Sequence, residues 1–342
     1  MTSTPDRARV RLVALSPRAY EHPADRAALS ALRKVRGFDQ MLRWLSGLFA
    51  GRAPRLLTLA STVRVDARQF PAIHRLVHDG ASVLDLAEVP EVFVACDPQP
   101  NARTVGMDKP FLVLTSGLVD LLDEEELRFV IGHELGHILS GHAVYRSMLD
   151  QLLVLSRRVF FLPVGYLGLR ALLTALEEWY RKSELSCDRA GVLAGQDPAA
   201  ALRAQMKMAG GSRLAEMDVT AFLEQAREYD AQGDLRDGVL KLLSLQGQLH
   251  PFAALRAAEL RRWIDDGDYQ AILAGEYPRR GNEDETSVGD EARDAARSYK
   301  RTVDESADAL LRVLRVIGEE AATVGQRVAD RVRGEAPDDS AP

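Results

Sequence analysis

Two cysteines among 342 residues, Cys96 and Cys187, are too few to staple a fold. Their apolar or helical surroundings suit reduced thiols, which excludes a disulfide-built secreted module and favours a cytoplasmic-facing protein. Positive charge is not in excess either. Lys and Arg number 44 against 50 Asp and Glu, giving a net charge of −6, with no basic and aromatic residues interleaved. A nucleic-acid-binding surface is therefore not expected. Near the start, Asp6, Arg7, Arg9 and Arg11 are followed by no apolar core of signal length, so no signal peptide is expected. Long apolar runs are scarce. What remains is a composition of 46% hydrophobic and 27% charged residues, that of a soluble globular chain with ample capacity for a core.

The informative stretch is Val130-Ile-Gly-His-Glu-Leu-Gly-His-Ile-Leu139, which contains the pattern H-E-x-x-H. In a helix, His133 and His137 lie one above the other on the same face. They can grip one metal ion while Glu134 reaches a water bound to it, which is the logic of a zinc hydrolase. The setting agrees with a helix. Asp123-Glu-Glu-Glu126 forms an acidic first turn, and Leu127, Val130, Ile131, Leu135, Ile138 and Leu139 follow at helical spacing.

A third ligand has to come from elsewhere. A continuation to G-x-x-H would need a glycine at position 140 and a histidine at 143, but the chain has Ser140 and Ala143 there. His142 falls one position short and is expected to cap a helix or to stand behind the ligands. Cys187 lies beside Asp188, but its helical direction differs from that of Glu184, so it is not counted as a ligand. Glu184 and Asp188, four apart in Ser183-Glu-Leu-Ser-Cys-Asp188, share one helical face. They read either as a solvated carboxylate pair or as a ligand, Glu184, with Asp188 accepting the other ring N–H of a histidine ligand.

On these residues the chain resembles the M48 zinc metallopeptidases, HtpX-like and Ste24-like. His133, Glu134, His137, Glu184 and Asp188 carry the resemblance. So do Asn101-Ala-Arg-Thr-Val-Gly106, Leu114-Thr-Ser-Gly-Leu118, Leu121–Leu127, His250-Pro251 and Arg256, across about residues 60–265. The resemblance implies an α+β, mainly helical fold of the zincin (gluzincin) kind, with a small edge sheet. It implies one Zn²⁺ per chain, with Glu184 as third ligand and Glu134 as base. It places His250 at the oxyanion, with Arg256 as a supporting charge. It also assigns Asn101, Ala102, Arg103 and Thr104 to an edge strand that pairs with extended polypeptide substrate.

Between the ligands, Val159–Leu176 spans 18 residues with Arg170 as the single charge. That is marginal for a membrane crossing. One crossing would put the histidines and Glu184 on opposite sides, so the chain must return. Residues 144–182 are therefore expected to form an apolar helical hairpin, broken at Pro163, Gly165 and Gly168, that packs on the domain or dips into a membrane surface.

Residues 1–18 read as a flexible tail, and 19–60 as helices packing on a peptidase domain over 61–280. A linker and an amphipathic helix over 281–333 follow, and then a disordered end over 334–342. The terminal helices and 144–182 are the surfaces open to peripheral membrane contact, at the inner face of a membrane for a cytoplasmic protein. The oligomeric state is not legible. The function expected is hydrolysis of peptide bonds, with unfolded or misassembled polypeptides as substrate. The alternative is a latent or non-catalytic zinc-stabilised scaffold that binds a partner or membrane surface, and an intact Glu134 argues against it.

Overall fold

The computed structural model describes residues 8–33, 52–158, 163–231 and 253–281. Its sheet is built around two apolar strands, β2 (Val92–Ala95) and β4 (Phe111–Thr115), which run parallel. Two further strands flank them antiparallel, β1 (Val63–Arg64) on β2 and β3 (Ala102–Val105) on β4, giving the order β1-β2-β4-β3. Burial on both faces explains why β4 reads as a continuous apolar run. Leu112 and Leu114 join the main core, while Phe111 and Val113 pack with Phe93 on the other face. The strand expected near Asn101–Thr104 is an edge strand, one residue further along.

Helices supply the rest, and the described part is mainly helical. In chain order they are α1 (Pro23–Arg33), α2 (Arg52–Ser61), α3 (Pro71–Val83), α4 (Ser116–Leu121), α5 (Glu124–Leu139), α6 (His142–Arg158) and α7 (Pro163–Gly195). Then come α8 (Pro198–Gly210), α9 (Val219–Ala231), α10 (Ala253–Asp265) and α11 (Asp268–Leu273). The acidic start of α5 proves to be a capping box. The Asp123 side chain accepts from the Glu126 backbone N–H at 2.9 Å, and Glu126 accepts from the Asp123 N–H at 2.9 Å. Glu126 is fully buried and is neutralised by Lys207 at 2.6 Å and Arg203 at 3.3 Å, both from α8.

Helix α5 lies against α7 at a contact only small residues permit. A Cβ on Gly132 would come within 2.4 Å of the Ala194 Cβ, and one on Gly136 within 2.5 Å of the Ala190 Cβ. The motif glycines therefore let the two backbones close up, and that closeness brings residues on α7 to the histidines on α5.

Helices α6 and α7 form the hairpin expected over 144–182, with two differences. Its return limb is continuous with the helix bearing Glu184 and Asp188, a single 33-residue helix. Gly165 and Gly168 do not break it: the described helix runs from Pro163 through both glycines. Trp179, Leu176, Met148 and Leu149 pack the hairpin's inner end with Ala28 and Leu32 of α1, forming a second cluster beside the main core. Among the described residues no helix is long and apolar enough to cross a membrane.

Residues 8–18 are not the flexible tail expected there. Leu12 and Leu15 are fully buried in the main core, Arg9 bonds the Gly195 carbonyl at 2.9 Å, and the Gln196 side chain pairs with both backbone groups of Val10. Apolar residues spaced among the arginines give this segment a buried edge, which outweighs its charged look. Part of the helical stretch expected over 19–60, His250 with Pro251, and the segments beyond residue 281 lie outside the described residues.

Candidate metal centre

Helix α5 presents His133, Glu134 and His137 on a buried stretch; the three are 5%, 3% and 1% exposed. Across the glycine contact, Glu184 on α7 is 1% exposed and reaches both histidines. Its Oε1 lies 3.2 Å from His137 Nε2 and its Oε2 lies 3.6 Å from His133 Nε2. Nitrogen and oxygen ligands on a tetrahedral zinc stand about 3.4 Å apart, given bonds of about 2.1 Å. The two observed separations bracket that value. No hydrogen bond satisfies His137 Nε2. Two imidazoles, one carboxylate and a buried nitrogen without a hydrogen bond form a donor set that fits a zinc ion.

Behind His133, Asp188 faces Nδ1 at 3.0 Å. Arg256, from α10, grips Asp188 twice, at 2.7 Å to Oδ2 and 2.5 Å to Oδ1, and reaches Glu184 Oε2 at 3.2 Å. Its guanidinium is thus committed to the carboxylates rather than standing free for a substrate carbonyl. Burial alone would raise the pKa of Glu184 and Asp188, but Arg256 and His133 hold both below the usual carboxylate range. The same pairing acts on the cation: burial would lower Arg256, and Asp188 outweighs it. Burial would lower His133 as well, yet Glu184 and Asp188 raise it to about 9. His137 follows its burial instead and falls to about 4, against the pull of Glu184. The proton carried by His133 sits where a cation would be welcome.

Glu134 has a partner that sequence reading missed. Thr104 Oγ1 lies 2.7 Å from Glu134 Oε2 and 3.1 Å from the Glu134 carbonyl. Thr104 points inward from the edge strand and is 1% exposed, whereas Arg103 points out, as alternation along a strand requires. Of the four residues expected to meet substrate, Thr104 therefore turns its side chain to the glutamate. Asn101 precedes the strand; its N–H donates to the Thr115 hydroxyl at 2.8 Å and its carbonyl accepts from the Thr115 N–H at 3.0 Å. His250 lies outside the described residues.

His142 and Cys187 stand beside His137. His142 opens α6 and does not cap α5, whose C-cap is Ser140. Its ring lies 5.4 Å from that of His137. Cys187 is fully buried with its Sγ 3.6 Å from His142 Nδ1, so it borders the site although its helical direction differs from that of Glu184.

Comparison with known proteins shows the family. The model of peptidase family M48 matches residues 67–264. The plastoglobule-localized metallopeptidase 48, chloroplastic, of Arabidopsis thaliana is 34% identical over 260 residues, 74% of each chain. A protease HtpX homolog of Caldanaerobacter subterraneus is 32% identical over 109 residues, 30% of this chain and 36% of that one. One from Levilactobacillus brevis is 39% identical over 75 residues, 21% of this chain and 25% of that one. The chain thus spans about a third or less of those two proteins. No solved structure matches.

Proposed function

The chain belongs to peptidase family M48 and is a zinc metalloprotease, and from that premise we propose that it is an endopeptidase whose zinc ligands are His133, His137 and Glu184, with Glu134 as general base. The observation that carries this reading is the convergence of both imidazole Nε2 atoms on the two Glu184 oxygens, with the Glu134 carboxylate buried on the same helix. A zinc ion held there supplies a water of lowered pKa and polarises the scissile carbonyl.

The chain's own residues do the rest. Glu134 takes the proton of the attacking water and returns it to the leaving amine. Thr104 holds the Glu134 carboxylate by one oxygen, leaving the other to work. Asp188, anchored by Arg256, holds the His133 ring through Nδ1 and so keeps Nε2 turned to Glu184. Edge strand β3 offers its free side to an extended polypeptide, and main-chain pairing of that kind recognises conformation more than side chains. Unfolded or misassembled polypeptides are the substrate class this supports. Two cysteines without a disulfide support a cytoplasmic setting, at or near a membrane face.

The test is cleavage of an unfolded polypeptide by the zinc-loaded chain, with Glu134→Gln run beside it. Cleavage by the unaltered chain alone, at equal zinc content, is the expected result. Normal cleavage by Glu134→Gln would remove Glu134 as base. The scaffold reading is disfavoured by Thr104, since a purely structural ion has no use for an oriented glutamate beside it.

A further inference from the structure

A second group of metal-ligating side chains stands beside the first. His137, His142 and Cys187 each bring one ligand atom within 4.8 Å of the others, and all three are buried. The Cys187 Sγ to His142 Nδ1 separation is 3.6 Å. Sulfur and nitrogen on a tetrahedral zinc, with bonds of about 2.3 and 2.1 Å, stand about 3.6 Å apart.

The far side of His142 is arranged as a metal-bound imidazole requires. Its Nε2 faces Asp25 Oδ2 at 3.2 Å. Asp25 is 1% exposed and also accepts from Ser186 Oγ at 2.6 Å and Trp179 Nε1 at 2.9 Å. Three donors on a buried carboxylate keep it ionised, so the proton of His142 stays on Nε2 and Nδ1 is left with a lone pair toward Cys187. Asp188 does the same for His133 in the first group, on the opposite ring nitrogen. His137 contributes a further observation: neither of its ring nitrogens has a hydrogen bond, though the side chain is 1% exposed. One nitrogen is accounted for by Glu184. The other is a buried lone pair or N–H with nothing to meet, a costly arrangement unless a ligand completes it.

We propose that His142, Cys187 and His137 form a second, sulfur-containing site for a thiophilic divalent cation such as zinc, cobalt or cadmium. Binding replaces the Cys187 S–H proton and the remaining ring N–H proton of the shared His137, both of which leave to solvent, by a sulfur–metal and a nitrogen–metal bond; His142 keeps its Nε2 proton directed at Asp25, and no electron is transferred. The site rests on the reading of His137 as a ligand of the first group, because the two groups share that imidazole. Tyr180, stacked on His137 at 5.9 Å, and Trp179, edge-on to His142 at 5.5 Å, wall it from water.

The experiment uses the full chain, stripped by chelator, kept reduced and reloaded with cobalt(II) up to two equivalents. A near-ultraviolet sulfur-to-cobalt absorption is expected in the unaltered chain. It should vanish in Cys187→Ser and, should that variant fail to fold, in His142→Ala. It should persist in Glu184→Gln, which lacks the carboxylate of the first group. No such absorption at two equivalents would overturn the proposal, as would an absorption unchanged in Cys187→Ser. Its loss in Glu184→Gln would assign the sulfur to the first ion and overturn a second site. Absence of peptide cleavage with the absorption present would count against the proposed peptidase residues and leave the sulfur site standing.

Discussion

Thr104 and Glu134 meet through a 2.7 Å contact between hydroxyl and carboxylate. It ties the edge strand to the helix bearing His133 and His137, the proposed metal ligands. The strand that would receive substrate and the group that would move the proton are thereby positioned together. Thr104→Val keeps the shape and removes the hydroxyl. The expected outcome is a fall in kcat of about 10- to 100-fold with zinc content unchanged. Steady-state kinetics beside metal analysis checks it; a loss of zinc in step with activity would mean that Thr104 serves the fold instead.

The contact between Gly136 and Ala190 sets how closely the two ligand helices approach. Gly136→Ala places a methyl group about where the Ala190 Cβ already is, at 2.5 Å. Overpacking of this kind costs about 1–3 kcal/mol. It should also move Glu184 away from the histidines. A lower melting temperature and weaker zinc retention are expected, and Gly136→Ala with Ala190→Gly should recover both. Thermal melting and a chelator competition on the three proteins decide the matter.

His133 makes the metal-free protein sensitive to alkaline pH. Its pKa rises from 6.5 unfolded to about 9 folded, through Glu184 and Asp188 against burial. The folded state therefore binds the extra proton more tightly, and the stability this contributes is fully present below about pH 6.5 and lost as pH rises through about 9. His137, lowered to about 4, is neutral when folded and still partly protonated when unfolded near pH 6.5, so it opposes the trend only at the lower edge of that window and not above about pH 7.5. Thermal melting of the stripped protein is expected to drop by several degrees between pH 6.5 and 9.5. Zinc affinity should rise over the same range, because the ion displaces the His133 proton. A flat melting curve in stripped protein would show that His133 is not protonated there.

The parts legible in the sequence were those that depend on local spacing. His133, Glu134 and His137 follow from the helical repeat, and Glu184 with Asp188 from the same rule. The edge strand that the family resemblance implies near Asn101–Thr104 lies one residue from β3. Contacts between distant segments carried no such signal. Asp25 meets Trp179 and Ser186 across more than 150 positions, and nothing in the N-terminal segment marks it as a partner. Leu12 and Leu15 were masked by the arginines around them. Cys187 was discounted by comparing its direction with that of Glu184, although three steps of 100° leave only about 60° between them. Thr104 looked like one more strand residue, since alternation tells which face it occupies but not that a glutamate waits there.

The continuity of α7 from Pro163 to Gly195 has a thermodynamic consequence. Glu184 cannot shift along its helix axis without carrying the return limb of the hairpin with it, and one residue of slippage means about 1.5 Å and 100°. The ion and the hairpin are therefore linked variables. Anything that binds the hairpin differently in the zinc-loaded and zinc-free forms changes the affinity for zinc by that same factor, and zinc returns the favour.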